Sequence, residues 1–114
     1  MPHLILEHAA PLAERLDIPA VLKQLHETLC AQPTVGAKDV KSRSVPSLLY
    51  YTGENPKPES LFAHVEVRLL EGRSWAEISV IQQAVVAALK KNLPDEVVRT
   101  VEIREMRRAF YYKE

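Results

Sequence analysis

The sequence predicts an α/β (α+β) domain in which two helices pack against one four-stranded mixed sheet, in the element order β-α-β-β-α-β. Two amphipathic helical stripes, each flanked by apolar strand-like runs, indicate this order. The two halves also match at an offset of 61 residues, since His3 is followed by His64 and Val40 by Val101. This weak repeat predicts two copies of one unit, related by a pseudo-twofold axis.

The first β-α-β unit covers about residues 2–51. Three consecutive apolar residues, 4–6, predict a strand over residues 3–8 that is buried on both faces, because a strand with one wet face would alternate. A 3.6-residue apolar period after Asp17 then predicts a helix, and Pro19 suits its first turn.

The second strand of this unit is predicted from about residue 39 to residue 51. Pro46 lacks an N–H, so this strand is expected at a sheet edge or at a bulge. Lys41 and Arg43 are two positions apart, and in an extended chain their side chains lie on one face. The following residues, 52–60, are rich in turn formers and predict a loop.

The second unit covers about residues 61–105. Alternation over residues 61–70 predicts a strand with one wet face. Ser74 and Glu77 have the spacing of a capping box, which predicts the start of a helix, and a strand rich in Val and Ile completes the unit. The aromatic segment at about residues 108–113 predicts a C-terminal strand that pairs with another subunit.

The composition predicts one domain, residues 1–114, and excludes several classes of function. Fifteen Lys and Arg balance fifteen Asp and Glu, so no overall field attracts nucleic acid or a membrane surface. The single cysteine, Cys30, excludes an internal disulfide and a thiolate metal site. We find no metal-ligand spacing and no glycine-rich phosphate loop, and we expect neither a metal nor a cofactor. The absence of a leader segment and of a long apolar run predicts a cytoplasmic protein.

Pro2 is the candidate catalytic base. Methionine is usually removed before a small residue, and its removal here would leave Pro2 with a free secondary amine. An α-amino group titrates near pH ~8, so desolvation or neighbouring cations bring it to about 7, where a base can move protons. Two alternatives stay open. In the first, Pro2 has no catalytic role and only begins an edge strand, where a missing N–H costs little. In the second, Met1 is retained and the Pro2 nitrogen is an amide without basicity.

Three cations are the candidate substrate-binding residues. Arg73 lies in the turn before the second helix, whose N-terminus carries partial positive charge. Lys41 and Arg43 are on the strand expected to pair with the first strand. Each is more often a solvated surface residue, but cations near a prolyl nitrogen would lower its pKa and bind carboxylates. Together they indicate a site for an anionic, enolisable acid.

Five segments of this sequence occur in the same order as in a known family. They are Pro-His-Leu-Ile-Leu-Glu from residue 2, Val-Lys-Ser-Arg at 40–43, Phe-Ala-His-Val at 62–65, Leu-Glu-Gly-Arg-Ser at 70–74 and Glu-Ile-Arg-Glu-Met at 102–106. The chain thereby resembles the 5-carboxymethyl-2-hydroxymuconate isomerase family of the tautomerase superfamily. The resemblance implies a tautomerase-like homotrimer, Pro2 as the base and Arg73 as a carboxylate-binding residue. Lys41 stands where we expect some members to carry arginine. The lysine replaces the planar guanidinium fork of that arginine by a point charge.

The resemblance implies an isomerase that needs no cofactor and acts on a small polycarboxylate, in the breakdown of homoprotocatechuate. Two alternatives stay open: a tautomerase for another enol-keto acid such as phenylpyruvate, and a non-catalytic ferredoxin-like binding or assembly module. His3 and His64 are further candidates for hydrogen bonds near the site, although a strand histidine bonded to the backbone is commoner. Trp75 and Tyr111 are expected in the core or in a subunit interface.

Overall fold

The computed structural model describes residues 1–54 and 60–114, so most of the loop predicted at residues 52–60 lies outside the described residues. Within these residues, four strands and two α-helices follow one another in the predicted order. They are β1 (His3–Ala9), α1 (Ile18–Cys30), β2 (Lys41–Ser47), β3 (Phe62–Leu70), α2 (Trp75–Asn92) and β4 (Val98–Met106). Three short 3₁₀ segments, Ala10–Glu14, Ala37–Asp39 and Arg108–Phe110, complete the order.

The strands form one mixed sheet in the order β2-β1-β3-β4. β1 is parallel to β2 and β3 is parallel to β4, as the two β-α-β units require, and the units join through antiparallel pairing of β1 with β3. Since His3 pairs with Arg68, the start of β1 lies beside the ends of β3 and β4. The N-terminus therefore meets the turn after β3 and the segment after β4 at one end of the sheet.

Both helices begin at the residues that the sequence indicates. The carboxylate of Asp17 accepts a hydrogen bond from the Ala20 N–H at 3.1 Å, and Pro19 occupies the first turn of α1. Ser74 and Glu77 form a reciprocal capping box at the start of α2. Both helices bury one stripe against the same face of the sheet, and their buried residues are Ile18, Val21, Leu25 and Leu29 of α1 and Ile81, Val85 and Leu89 of α2.

The prediction that β1 is buried on both faces is wrong for the subunit. Leu4 and Leu6 are fully buried under the helices, whereas Ile5 points to the opposite face and is only half-buried. We call this opposite side, which neither α1 nor α2 covers, the open face of the sheet. β3 alternates as predicted, and its wet residues (Phe62, His64, Glu66 and Arg68) lie on the open face.

Two strand ends differ from the prediction. β2 is an edge strand, as Pro46 indicates, but it ends at Ser47 instead of continuing to residue 51. No strand forms over residues 108–113 within the subunit, because Arg108–Phe110 is a 3₁₀ turn and Tyr111 bonds to a side chain of β1. Pairing of this segment with another subunit stays a prediction.

Trp75 is not a core residue, because 90% of its surface is exposed at the first turn of α2. It lines an open groove between α2 and the edge strand β4, together with Ile78, Ser79, Gln82, Ile103 and Glu105. Neither α1 nor α2, the α-helices of the described residues, has the combination of length and apolar character that crossing a bilayer demands.

Candidate active site

Pro2 lies at the N-terminal end of β1 and is buried. Its carbonyl oxygen accepts a hydrogen bond from the Lys41 N–H at 3.1 Å, which continues the parallel pairing of β1 with β2 by one residue. Because residues alternate along a strand, the Pro2 ring lies on the same side as Leu4, the side that the helices cover. The hydrogen bond to β2 thus fixes the backbone of Pro2, and the Pro2 ring is buried on the helix side of the sheet.

Three cations and one carboxylate surround the chain start. The pKa of the Met1 amine is lowered from its ordinary value, first by burial. The charge of Asp39 opposes this shift, and the charges of Arg73, Lys113 and Arg108 add to it. Removal of Met1 would expose the Pro2 nitrogen to the same set of charges. The environment therefore favours the neutral, proton-accepting form of an amine at this end of the sheet.

Arg73 is fixed by three hydrogen bonds. Its Nε donates to Thr34 Oγ1 at 3.2 Å and one terminal nitrogen donates to the Thr34 carbonyl at 2.7 Å. The other terminal nitrogen donates to the Leu70 carbonyl at 3.3 Å. A guanidinium has five N–H donors, so two donors are left for a ligand. Gly72, just before it, has φ of 124°, a conformation that side chains disfavour. The charge of Arg73, which follows this turn, acts on the amine at the chain start and lowers its pKa.

Lys41 and Arg43 lie on the open face, not on the Pro2 side of the sheet. In the parallel register His3 pairs with Lys41 and Ile5 with Arg43, so all four side chains share that face. The charges of Lys41 and Arg43 act on His3, whose pKa is lowered by burial first and by Arg43 and Lys41 next. The structure thus brings Arg73 to the Pro2 site and places Lys41 and Arg43 beside His3.

His3 links the first strand to the C-terminal segment. An Arg43 terminal nitrogen donates to its Nδ1 at 3.2 Å, since arginine has no acceptor. Its Nε2 therefore carries the proton and donates to the Tyr111 hydroxyl at 2.9 Å. The His3 and Tyr111 rings meet edge to face with centroids 6.0 Å apart. His3 thereby positions Tyr111 from the open face.

His64 lies away from Pro2. It pairs with Glu7, near the other end of β1, and its Nδ1 bonds to Thr100 Oγ1 at 2.6 Å. With Glu66 and Glu102 it forms a group whose potential ligand atoms lie within 4.8 Å of one another, an arrangement that sequence spacing did not reveal.

This group is already balanced by positive charge. Glu66 forms ion pairs with Arg68 and Arg104, and the hydrogen bond from Arg68 is the main reason that its pKa is lowered. Glu102 also pairs with Arg104, at 3.1 Å. The two guanidinium groups oppose a bound cation at this place.

Four residues at the Pro2 end were missed by the sequence analysis or not given a role there. Lys113 Nζ lies 3.0 Å from Asp39 Oδ1 and 3.3 Å from Met1 Sδ. The Arg108 N–H donates to Glu71 Oε2 at 2.7 Å, and the Arg108 guanidinium lies beside Gly72. The available signal was topological, because residues that follow β4 must return to the end of the sheet where β1 begins.

Comparisons with known proteins agree with this architecture. A crystal structure of a 5-carboxymethyl-2-hydroxymuconate isomerase from Deinococcus radiodurans R1 is 25% identical, with a TM-score of 0.89 over 99% of this chain and 88% of that chain. A 5-carboxymethyl-2-hydroxymuconate delta-isomerase is 18% identical, with a TM-score of 0.84 over 100% of this chain and 87% of that one. A fused wild-type 4-OT described as a symmetric trimer is 18% identical, with a TM-score of 0.69 over 94% and 87%.

The sequence profile of one family covers almost the whole chain. No curated protein sequence matches significantly. The profile of the family described as CHMI, 5-carboxymethyl-2-hydroxymuconate isomerase, matches residues 2–114. The fold of the solved isomerases and the family profile lead to the same assignment. The chain therefore belongs to the 5-carboxymethyl-2-hydroxymuconate isomerase family, and it is an isomerase.

Proposed function

We propose that this isomerase converts a 2-hydroxymuconate-type dienol acid, 5-carboxymethyl-2-hydroxymuconate, into its 2-oxo isomer, with Pro2 as the general base. The observation that carries the proposal is the position of Pro2, buried at the start of β1 among the charges of Arg73, Arg108 and Lys113. This environment suits a neutral amine next to a bound polyanion.

The reaction needs only one proton transfer to and from the amine. The Pro2 nitrogen takes the proton of the 2-hydroxyl group, so that the O–H bond breaks and the C2–O bond becomes a carbonyl. The double bonds shift along the chain, and the protonated amine returns the proton to a carbon to form a new C–H bond. Arg73 binds a substrate carboxylate and stabilises the enolate charge that develops between the two steps.

A substrate panel tests this function. We expect the mature protein, with Met1 removed, to accelerate loss of the dienol absorbance of 5-carboxymethyl-2-hydroxymuconate and, more slowly, of 2-hydroxymuconate. The enol of phenylpyruvate should be a poor substrate, because it has one carboxylate for several cations. Faster turnover of phenylpyruvate would favour the other tautomerase activity, and no turnover of any acid by correctly processed protein would favour a binding module.

We also propose that the working unit is a homotrimer. β2 and β4 are both edge strands within the subunit, and unpaired edges favour association with another chain. Large apolar side chains are exposed near these edges and in the C-terminal segment: Leu48, Leu49, Tyr51, Trp75, Phe110 and Tyr112. The number three rests on the family resemblance and on the relative described as a trimer.

Light scattering should give about three times the 12.9 kDa subunit mass. Replacing Phe110 and Tyr112 by serine should lower this mass, because these side chains are 82% and 80% exposed in the subunit and contribute little to its own core. Val80→Ser is the matched control, since Val80 is an exposed apolar residue of α2 and should leave the mass unchanged. A monomeric wild-type protein with full activity would contradict the proposal.

A further inference from the structure

The C-terminal segment, residues 107–114, is anchored over the start of β1. The Tyr111 hydroxyl accepts from His3, and Lys113 forms an ion pair with Asp39 just before β2. At its other end, the Arg108 N–H is bound by the carboxylate of Glu71, in the turn after β3. Contacts with three different parts of the chain fix the path of this segment, so its cations have defined places at the Pro2 end of the sheet.

Two of the three cations of this segment, Lys113 and Arg108, differ in how their charges are balanced. Lys113 shares its charge with Asp39 at 3.0 Å. The guanidinium of Arg108, in contrast, has neither a hydrogen-bond acceptor nor an ion-pair partner among residues 1–54 and 60–114. One of its terminal nitrogens lies 3.8 Å from the place that a β-carbon on Gly72 would take. Arg108 thus presents a guanidinium group without a bonded partner in the described part of the chain beside the turn that carries Arg73, while the Glu71 carboxylate binds its main-chain N–H at 2.7 Å.

The N–H donors that the cations at this end leave free exceed what one carboxylate accepts. Arg73 retains two N–H donors, which is what one bidentate carboxylate accepts. Arg108 offers a complete guanidinium fork, and Lys113 adds an ammonium group that Asp39 only partly offsets. A ligand with a single carboxylate would leave Arg108 without a partner, whereas a second carboxylate on the same ligand would satisfy it.

We infer that Arg108, assisted by Lys113, forms a second carboxylate subsite beside Arg73 and makes this enzyme select ligands that carry two or more carboxylates. The inference rests on the proposed function in so far as the bound acid is a substrate; binding of the acid does not depend on that function. Ligands with two carboxylates bind more tightly than ligands with one, because Arg108 forms no ion pair with a ligand whose far end is apolar. Arg108 is then a specificity-determining residue contributed by the chain terminus.

The test uses binding of unreactive acids to the mature protein, measured by titration calorimetry. Adipate has the six-carbon chain and two carboxylates of a saturated muconate, and hexanoate has the same chain length with one carboxylate. We expect wild-type protein to bind adipate at least about tenfold more tightly than hexanoate, the effect of one charge-assisted hydrogen-bonded pair. Arg108→Ala should remove most of this preference while hexanoate affinity changes less than about twofold.

Arg107→Ala is the matched control. Arg107 is an adjacent exposed arginine that lies over the Phe110 ring, 6.0 Å from its centroid, so its replacement changes the net charge equally. Adipate affinity should stay at the wild-type level in this variant. Equal affinities of wild-type protein for the two acids, equal losses in the two arginine variants, or equal loss of both acids in Arg108→Ala would overturn the inference.

The two proposals fail in different ways. Loss of adipate preference in Arg108→Ala, combined with no turnover of any dienol by the mature wild-type protein, supports the subsite and contradicts the proposed reaction. Turnover of 5-carboxymethyl-2-hydroxymuconate, combined with an unchanged adipate preference in Arg108→Ala, supports the reaction and overturns the subsite. Unaltered thermal unfolding of the variants shows that the fold is retained, as expected for an exposed side chain.

Discussion

Replacing Pro2 by alanine should lower kcat/KM for the dienol acid by about 100-fold or more, the usual contribution of a positioned general base. Alanine leaves a primary amine at the chain start, but it removes the ring that fixes the nitrogen at the end of β1. Pro2 is buried and its carbonyl is bonded to Lys41, so the backbone of the variant should stay in place while the direction of the nitrogen does not. Mass spectrometry of the variant and of wild-type protein must first confirm that Met1 is absent.

The general-base role of Pro2 also determines how kcat/KM changes with pH. The amine accepts a proton only in its neutral form, so kcat/KM should rise with pH through the pKa of the free enzyme. Burial and the charges of Arg73, Lys113 and Arg108 lower the pKa of the amine at the chain start. The ascending limb should therefore lie below pH ~8, the value of an ordinary α-amino group. Wild-type kcat/KM in Pro2→Ala, together with an unchanged ascending limb, would assign the base to another residue.

An inserted alanine between Met1 and Pro2 is the control for the nitrogen itself. Methionine is still removed, but Pro2 becomes an internal amide and the free amine moves one residue away. We expect the insertion to abolish the ascending limb and at least match the loss of Pro2→Ala, while thermal unfolding stays close to that of wild-type protein. Full activity of the insertion variant would rule out Pro2 as the base.

The fold could be predicted where the signals are local. The Ser74–Glu77 capping box, Pro19 in a first turn and the alternation of β3 each depend on neighbouring residues only, and each is confirmed. The terminal aromatic segment could not be predicted in this way. Its apolar residues suit a strand, but the hydrogen bonds from His3 to Tyr111 and from Arg108 to Glu71 come from distant parts of the chain.

The features of the candidate site also differ in whether the sequence could predict them. The sequence predicts two units with a pseudo-twofold relation, and the antiparallel pairing of β1 with β3 that the structure shows places the start of β1 beside the Arg73 turn. Which face Lys41 occupies depends on register, and the pairing of His3 with Lys41 puts it opposite the Pro2 ring. A shift of one residue would reverse that result. Neither the apolar pattern nor the repeat determines this register, so the face that Lys41 and Arg43 occupy could not be predicted from the sequence.

Arg73→Ala should lower kcat/KM for the dicarboxylate by at least about tenfold, which is ~1.4 kcal/mol of transition-state stabilisation. Arg73→Lys keeps the charge but loses the planar fork, so it should recover only part of this loss. Removing a cation also removes one cause of the lowered amine pKa, and the ascending limb of kcat/KM should move to higher pH in Arg73→Ala.

Arg99 provides the matched control for Arg73. It also donates to backbone carbonyls, those of Pro94, Asp95 and Val97, but it pairs with Ala63 at the end of the sheet away from Pro2. Arg99→Ala should lower stability through the same kind of lost hydrogen bonds and leave the pH profile unchanged. If Arg73→Ala keeps the kcat/KM and pH profile of wild-type protein, the carboxylate must bind elsewhere. Comparable kinetic losses in the two variants would instead mean that Arg73 acts through stability, because only Arg73 lies where its charge reaches the amine.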